Sequence, residues 1–216
     1  MLLLRRLAPL GPKFPGVRWR NFSLMEYAGQ WSSTEKLQFQ ADMRVISDFV
    51  TAEEEQCLIW EIEPHISRLP YESSHWDDAI HGYREVQRRK WSPHNRSVLD
   101  RVCREACGGQ VMPFVHILDL AEVGGIKPHV DSTRFCGHTI AGISLLSDCV
   151  MRMKRVAKGT ASHSADVLLP RRSLYIMSHL ARYKFTHEIL VGEQSRFRKH
   201  PVKRKRRVSV ICRTEP

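Results

Sequence analysis

The stretch Ala165–Ser178, ADVLLPRRSLYIMS, sets two apolar runs, ADVLLP and SLYIMS, on either side of a Pro170-Arg171-Arg172 break. Each run is too short for a helix and is bounded by turn residues, so each reads as a short strand. The same texture extends in both directions. FVHILDL (114–120), GIKPHVD (125–131), TIAGISLL (139–146), VMRMKRV (150–156), THEIL (186–190) and RVSVICR (207–213) repeat it. Eight such runs in about 100 residues, with no helical period between them, predict a mainly β fold with flanking helices. The core is expected to be a double-stranded β-helix, or jelly roll, spanning residues 110–216.

Residues 26–109 read as a helical and irregular region packed on that core. Val50–Ile66 opens with Thr51 and Glu54 in capping-box spacing and continues with Cys57, Leu58, Trp60, Ile62 and Ile66, a surface helix. Ser92–Cys107 offers Ser92 as N-cap, Pro93 at the first helical position and a stripe of Val98, Leu99, Val102, Cys103 and Ala106, ended by Gly108-Gly109. Between them, Tyr71–Trp91 is aromatic, charged and aperiodic, and is expected to be a loop or irregular arm.

The 216-residue chain carries 34 Lys and Arg against 23 Asp and Glu, for a net charge of +11. The excess sits at two places. Arg5, Arg6, Lys13, Arg18 and Arg20 precede the first acid, Glu26, and this acid-free leader suits a mitochondrial transit peptide over residues 1–25. A second acid-free cluster runs from Arg196 to Arg213 and includes Lys203-Arg204-Lys205-Arg206-Arg207, which could attract phosphate chains or remain a solvated loop. No run reaches the roughly 18 apolar residues that span a bilayer. Six cysteines with no C-x-x-C pair read as reduced thiols, most of them buried.

Two His-x-Asp triplets occur, His75-Trp76-Asp77 and His129-Val130-Asp131. Chance alone supplies about one per two shuffled chains of this composition, so the triplet is uninformative by itself. If PHVD lies in a strand, alternation puts His129 and Asp131 on one face and Val130 in the packed layer. His187 lies several strands later, where a jelly roll returns the chain beside its early strands. On RVSVICR, positions 207, 209, 211 and 213 share a face, so Arg207 and Arg213 can reach one cavity. A buried guanidinium there needs an anion, which a dicarboxylate would supply. His116, His138, His163 and His179 have no such partners and read as structural or surface residues. Tyr175 could be a packed core tyrosine or a contact of that anion.

The order His-x-Asp, His, Arg-x-Ser-x-x-x-Arg on a jelly roll resembles the AlkB-type Fe(II)/2-oxoglutarate-dependent dioxygenases, over roughly residues 45–213. The resemblance implies that His129, Asp131 and His187 are the catalytic iron ligands. It implies that Tyr175, Arg207, Val208, Ser209 and Arg213 bind 2-oxoglutarate, with O2 as the second co-substrate. It further implies location in the mitochondrial matrix and hydroxylation of a protein or other large substrate. A role in fatty-acid metabolism and regulated necrotic death comes with the same resemblance. Two other readings remain open: demethylation of bases in mitochondrial RNA, with the basic run tracking phosphates, and a catalytically silent jelly-roll binding module.

Overall fold

The computed structural model describes residues 23–73, 78–108, 111–156 and 163–216. The N-terminal half holds β1 (Met25–Ala28), α1 (Ser33–Asp42), β2 (Met43–Ile46), α2 (Ala52–Ile66), β3 (Ile80–Arg88) and α3 (Pro93–Ala106). Then come β4 (Val115–His129), β5 (Thr139–Leu145), β6 (Cys149–Arg155), β7 (Ser164–Leu169) and β8 (Ser173–Ser178). The chain finishes with α4 (His179–Lys184), β9 (Phe185–Ile189), the two-residue strands β10 (Arg196–Phe197) and β11 (His200–Pro201), and β12 (Arg207–Arg213).

Ten strands form one curled antiparallel sheet in which β4 has two sets of partners. From His116 to Leu120 it pairs with β12, and at Ile126 and His129 it pairs with β9. The order β2-β8-β5-β12-β4 therefore makes one wall, and β1-β7-β6-β9-β4 makes the other. Strand β3 runs along β4 from Arg88 opposite Val115 to Ile80 opposite Ile126.

Alternation divides the apolar residues between three layers. Leu118, Leu120, Ile140, Met177 and Ile211 of the first wall face Met151, Met153, Val167 and Ile189 of the second. The back of the first wall packs Ile117, Ile143, Leu174, Val208 and Val210 against Leu58, Ile62 and Ile66 of α2 and Val98, Leu99 and Val102 of α3. Val150, Leu168, Leu190 and Phe197 form a smaller layer behind the second wall. Strands covered on both faces read as nearly continuous apolar runs, which is why their period is weak in the sequence.

The expected helix signals operate as written. The Thr51 hydroxyl accepts from the Glu54 amide at 3.1 Å, and the Thr51 amide donates back to the Glu54 carboxylate at 2.9 Å. Ser92 caps α3, with Pro93 in its first turn. Leu58, Ile62 and Ile66 are the buried ridge of α2, whereas Trp60 faces solvent and is 81% exposed.

Several expectations are corrected. FVHILDL and GIKPHVD are one 15-residue strand, not two. Gly124, between them, lets two backbones approach, because a Cβ there would collide with the Gly82 carbonyl. The expected arm at Tyr71–Trp91 contains β3. Its charged residues concealed a strand because their partners lie across the ladder: Arg84 donates to Asp119 and Glu85 meets His116. Val130 is exposed rather than packed, because β4 ends at His129 and the alternation stops there. Strands β1 and β2 and helix α1 carried no sequence signal that drew attention. His75-Trp76-Asp77 and residues 1–22 of the expected leader lie outside the described residues, and Met25 already belongs to β1.

The basic run is also not a free tail. The Arg204 guanidinium is buried and donates to the carbonyls of Ala121, Glu122 and Gly124. Arg206 pairs with Glu63 and with Asp119, and Arg207 is 1% exposed. Asp119, fully buried, accepts from Arg84 at 2.8 Å, from Arg206 at 2.8 Å and from the Tyr71 hydroxyl at 3.3 Å. This network fastens β3, β4 and the approach to β12 together. Asp119→Ala would strand the Arg84 guanidinium without its counter-charge, which costs about 3–5 kcal/mol. Urea unfolding should show a loss of that size; a loss below about 1 kcal/mol would mean that the network contributes little to stability.

Candidate metal centre and co-substrate pocket

The last ladder pair between β4 and β9 sets His129 opposite His187. Their rings stand 4.2 Å apart between centroids. Asp131, two residues past the strand end, turns back so that its carboxylate lies 3.3 Å from His129 Nε2. Ligand atoms of His129, Asp131 and His187 all fall within 4.8 Å of one another, and among the described residues they are the group that could hold a metal ion.

The donor chemistry fits a cation. His129 Nδ1 faces the Lys127 carbonyl at 2.9 Å and donates to it, which turns Nε2 toward Asp131. His187 Nδ1 is buried without a partner among the described residues. Burial pushes the His187 imidazole down from 6.5 to about 4, against the pull of Asp131 and with the push of His129, Arg182 and Arg213. Burial would raise the Asp131 carboxyl, but the hydrogen bond from His129 and the positive field of Arg213 hold it well below the usual carboxylate range. A neutral imidazole and an ionised carboxylate are the forms that ligate metal. Two imidazoles and one carboxylate on one side of an ion make the facial set that suits non-haem Fe(II) and leaves coordination positions open.

A narrow cavity of about 60 Å³ joins this cluster to the two arginines of β12, and Ile80, Leu118, Ile126, Met151 and Tyr175 are among its walls. Larger surface clefts of about 450–660 Å³ lie elsewhere and contain none of these groups. Arg207 donates from Nε to the Ser144 hydroxyl at 3.0 Å, while its Nη2 has no partner. No carboxylate forms an ion pair with it among the described residues. Arg213 donates to His116 Nδ1 at 2.9 Å and leaves Nε without a partner. A buried guanidinium with free donors is costly until an anion meets them, so the pocket fits a dicarboxylate.

The remaining expected site residues divide. Tyr175 lines the cavity, and burial raises its phenol above the ordinary value. Gly142, its ladder partner on β5, has to be glycine, because a Cβ there would collide with the phenol ring. Ser209 is buried with its hydroxyl unpartnered, between Arg207 and Ile211 on the same face. Val208 sits on the opposite face, in the layer beneath the helices. His138 and His179 stack on each other, and His163 packs on Trp31, away from the cluster.

His116 has a larger part than the sequence suggested. Its Nε2 meets Glu85 at 2.7 Å while Nδ1 accepts from Arg213, so Glu85 and His116 together orient the guanidinium. Ser144 likewise orients Arg207. Glu85 belongs to β3, which was not legible as a strand, so neither link could be anticipated.

No family model matches the sequence. A search of curated proteins finds the mitochondrial alpha-ketoglutarate-dependent dioxygenase alkB homolog 7 of Bos taurus, 48% identical over 170 residues, or 78% of this chain and 76% of that protein. The chain belongs to the AlkB family of dioxygenases. The homologue of the same name from Mus musculus gives the same identity and coverage. Among solved structures, the AlkB relative OsALKBH1 has a TM-score of 0.54 at 10% identity, covering 80% of this chain and 98% of that one. A prolyl-4-hydroxylase from Pseudomonas putida has a TM-score of 0.54 at 14% identity, covering 81% and 94%. These two likenesses concern the jelly-roll fold. As an AlkB-family member the chain is a mitochondrial enzyme that uses Fe(II), 2-oxoglutarate (alpha-ketoglutarate) and O2.

The depressed His187 value has a consequence for the metal-free protein. The unfolded chain takes up that proton near pH 6.5 and the folded chain only near 4, so unfolding is favoured progressively as pH falls through this window. Stability should drop by about 3 kcal/mol between pH 6.5 and 4 and change no further from this group below that. Urea unfolding of metal-stripped protein, compared with His187→Gln over the same range, measures it; equal slopes would remove His187 as the cause.

Proposed function

We propose that His129, Asp131 and His187 hold Fe(II), and that Arg207 and Arg213, with Tyr175 and Ser209, receive 2-oxoglutarate. The observation that carries this reading is Arg207, fully buried, without an acid, and with a free Nη2 in the cavity that also contains the three potential ligands. In this reading the arginine clamps the far carboxylate through charge-assisted hydrogen bonds. Arg213, steadied by His116 and Glu85, lies beside the keto-acid end. Bound Fe(II) supplies the oxygen chemistry, in which 2-oxoglutarate and O2 give succinate and carbon dioxide while one oxygen atom enters a substrate C–H bond. The chain contributes orientation, a neutral His187, an ionised Asp131 and apolar walls that keep water from the reacting atoms.

We further propose a protein or other large substrate, in the mitochondrial matrix. The support is the use already made of the run from Lys203 to Arg207: Arg204, Arg206 and Arg207 are buried or paired, which leaves Lys203 and Lys205 as the exposed cations of those five residues. A role in fatty-acid metabolism and regulated necrotic death rests on the family resemblance alone. Two oriented arginines with free donors beside a complete ligand set argue against a silent binding module.

Purified protein with Fe(II) and ascorbate should convert 2-oxoglutarate to succinate slowly without added substrate. Asp131→Ala should lose iron and all turnover. Arg207→Ala should keep iron and raise the KM for 2-oxoglutarate, by about ten-fold to a hundred-fold for the loss of one charged clamp. Equal loss of iron in both variants would contradict the assigned roles. For substrate class, the salt dependence of binding to structured RNA should be shallow and unchanged when Lys203 and Lys205 become Gln. A slope of several counterions that falls by about two in the double variant would favour the RNA demethylase reading.

A further inference from the structure

His129 and His187 are held by ladder pairing, but Asp131 lies beyond the end of β4, where no strand partner fixes the backbone. What grips it there is Arg182. This residue lies in the six-residue helix α4, five positions before His187, and its side chain is 1% exposed. Its Nη1 donates to the Asp131 carbonyl at 2.8 Å. Its Nη2 donates to the Ser132 carbonyl at 3.1 Å and reaches the Cys136 carbonyl and sulfur at 3.4 Å.

No carboxylate pairs with this guanidinium among the described residues, and its Nε has no partner. The Tyr183 ring lies 5.1 Å from the guanidinium, but burying a cation without a counter-charge is expensive, and a fold that needed only to fill this space could use an apolar side chain. The cation is therefore retained for what it holds. A guanidinium fork can engage two successive carbonyls in fixed directions, which an ammonium cannot. We propose that Arg182 is the positioning residue for Asp131, locking the Asp131–Ser132 backbone so that the carboxylate faces the two imidazoles before metal arrives. One short segment, Arg182 to His187, then supplies one ligand directly and aims another. The inference rests on the reading of His129, Asp131 and His187 as metal ligands.

The test is Co(II) binding by the metal-stripped full chain, followed by the visible ligand-field spectrum, in the parent, Asp131→Ala, Arg182→Gln and Arg182→Lys. Loss of a group that orients a metal ligand typically weakens affinity about 10–100-fold. Arg182→Gln should fall in that range, with an altered Co(II) spectrum at saturation, while Asp131→Ala should fall further. Arg182→Lys keeps the charge but loses the fork, and should be intermediate. A merely structural role would lower the melting temperature and leave the affinity and spectrum of the folded protein unchanged, and that result would overturn the proposal. Should Arg182→Gln not fold, Arg182→Lys decides by the same two readouts; failure of both to fold would assign Arg182 to the fold and overturn its positioning role. Parent-like Co(II) binding by Asp131→Ala would instead sink the ligand assignment itself.

Discussion

The molecule depends on how β4 changes partners along its length. Paired with β12 at its start and β9 at its end, it is the strand common to both walls, and the point where it leaves β12 for β9 is where the cavity opens. Antiparallel register then fixes what faces what. His129 lies opposite His187 because the ladder puts it there, and the arginines of β12 reach the same cavity because β12 is the other partner of the same strand. The two imidazoles and the two arginines are thus brought together by backbone pairing, and only Asp131 comes from beyond a strand end, which suits a site whose geometry must be set before anything binds.

Buried positive charge is the second constraint. Arg84 and Arg206 share the carboxylate of Asp119, and Glu63 also pairs with Arg206, so two acids balance the two cations within the fold. Arg182 and Arg204 have no acid among the described residues and spend their donors on backbone carbonyls, each at the end of a strand or bulge that sheet pairing leaves loose. Arg207 and Arg213 keep donors in reserve. The same side chain serves as internal counter-charge, as backbone clamp and as ligand receptor, and what separates the three is the set of oxygens within reach. Much of the basic run from 203 to 207 is accounted for in this way, so a net charge of +11 overstates the cationic surface this stretch presents.

Protonation follows from the same burial. The His187 imidazole is buried, and the fields of Arg182 and Arg213 add to desolvation in keeping it neutral. Asp131, drawn the other way by Arg213 and by its hydrogen bond with His129, stays ionised. His187 and Asp131 are therefore held in the protonation states that suit a metal.

The sequence by itself determined the jelly-roll class, both capped helices, and the residues that converge on the cavity, because strand runs, caps and the spacing of His-x-Asp, His and paired arginines are local patterns. It could not show β3, since a strand whose charges are matched across the ladder has no apolar alternation to read, and with β3 hidden, Glu85 and His116 lost their connection to Arg213. It could not show that GIKPHVD continues FVHILDL, since a glycine that admits a neighbouring backbone looks like one that makes a turn. Nor could it separate Arg204, Arg206 and Arg207 from a phosphate-binding tail, or Arg182 from any helical arginine. Those distinctions rest on which oxygens lie within 3 Å or so of a guanidinium, and that proximity is created only when segments distant in the chain are folded against one another.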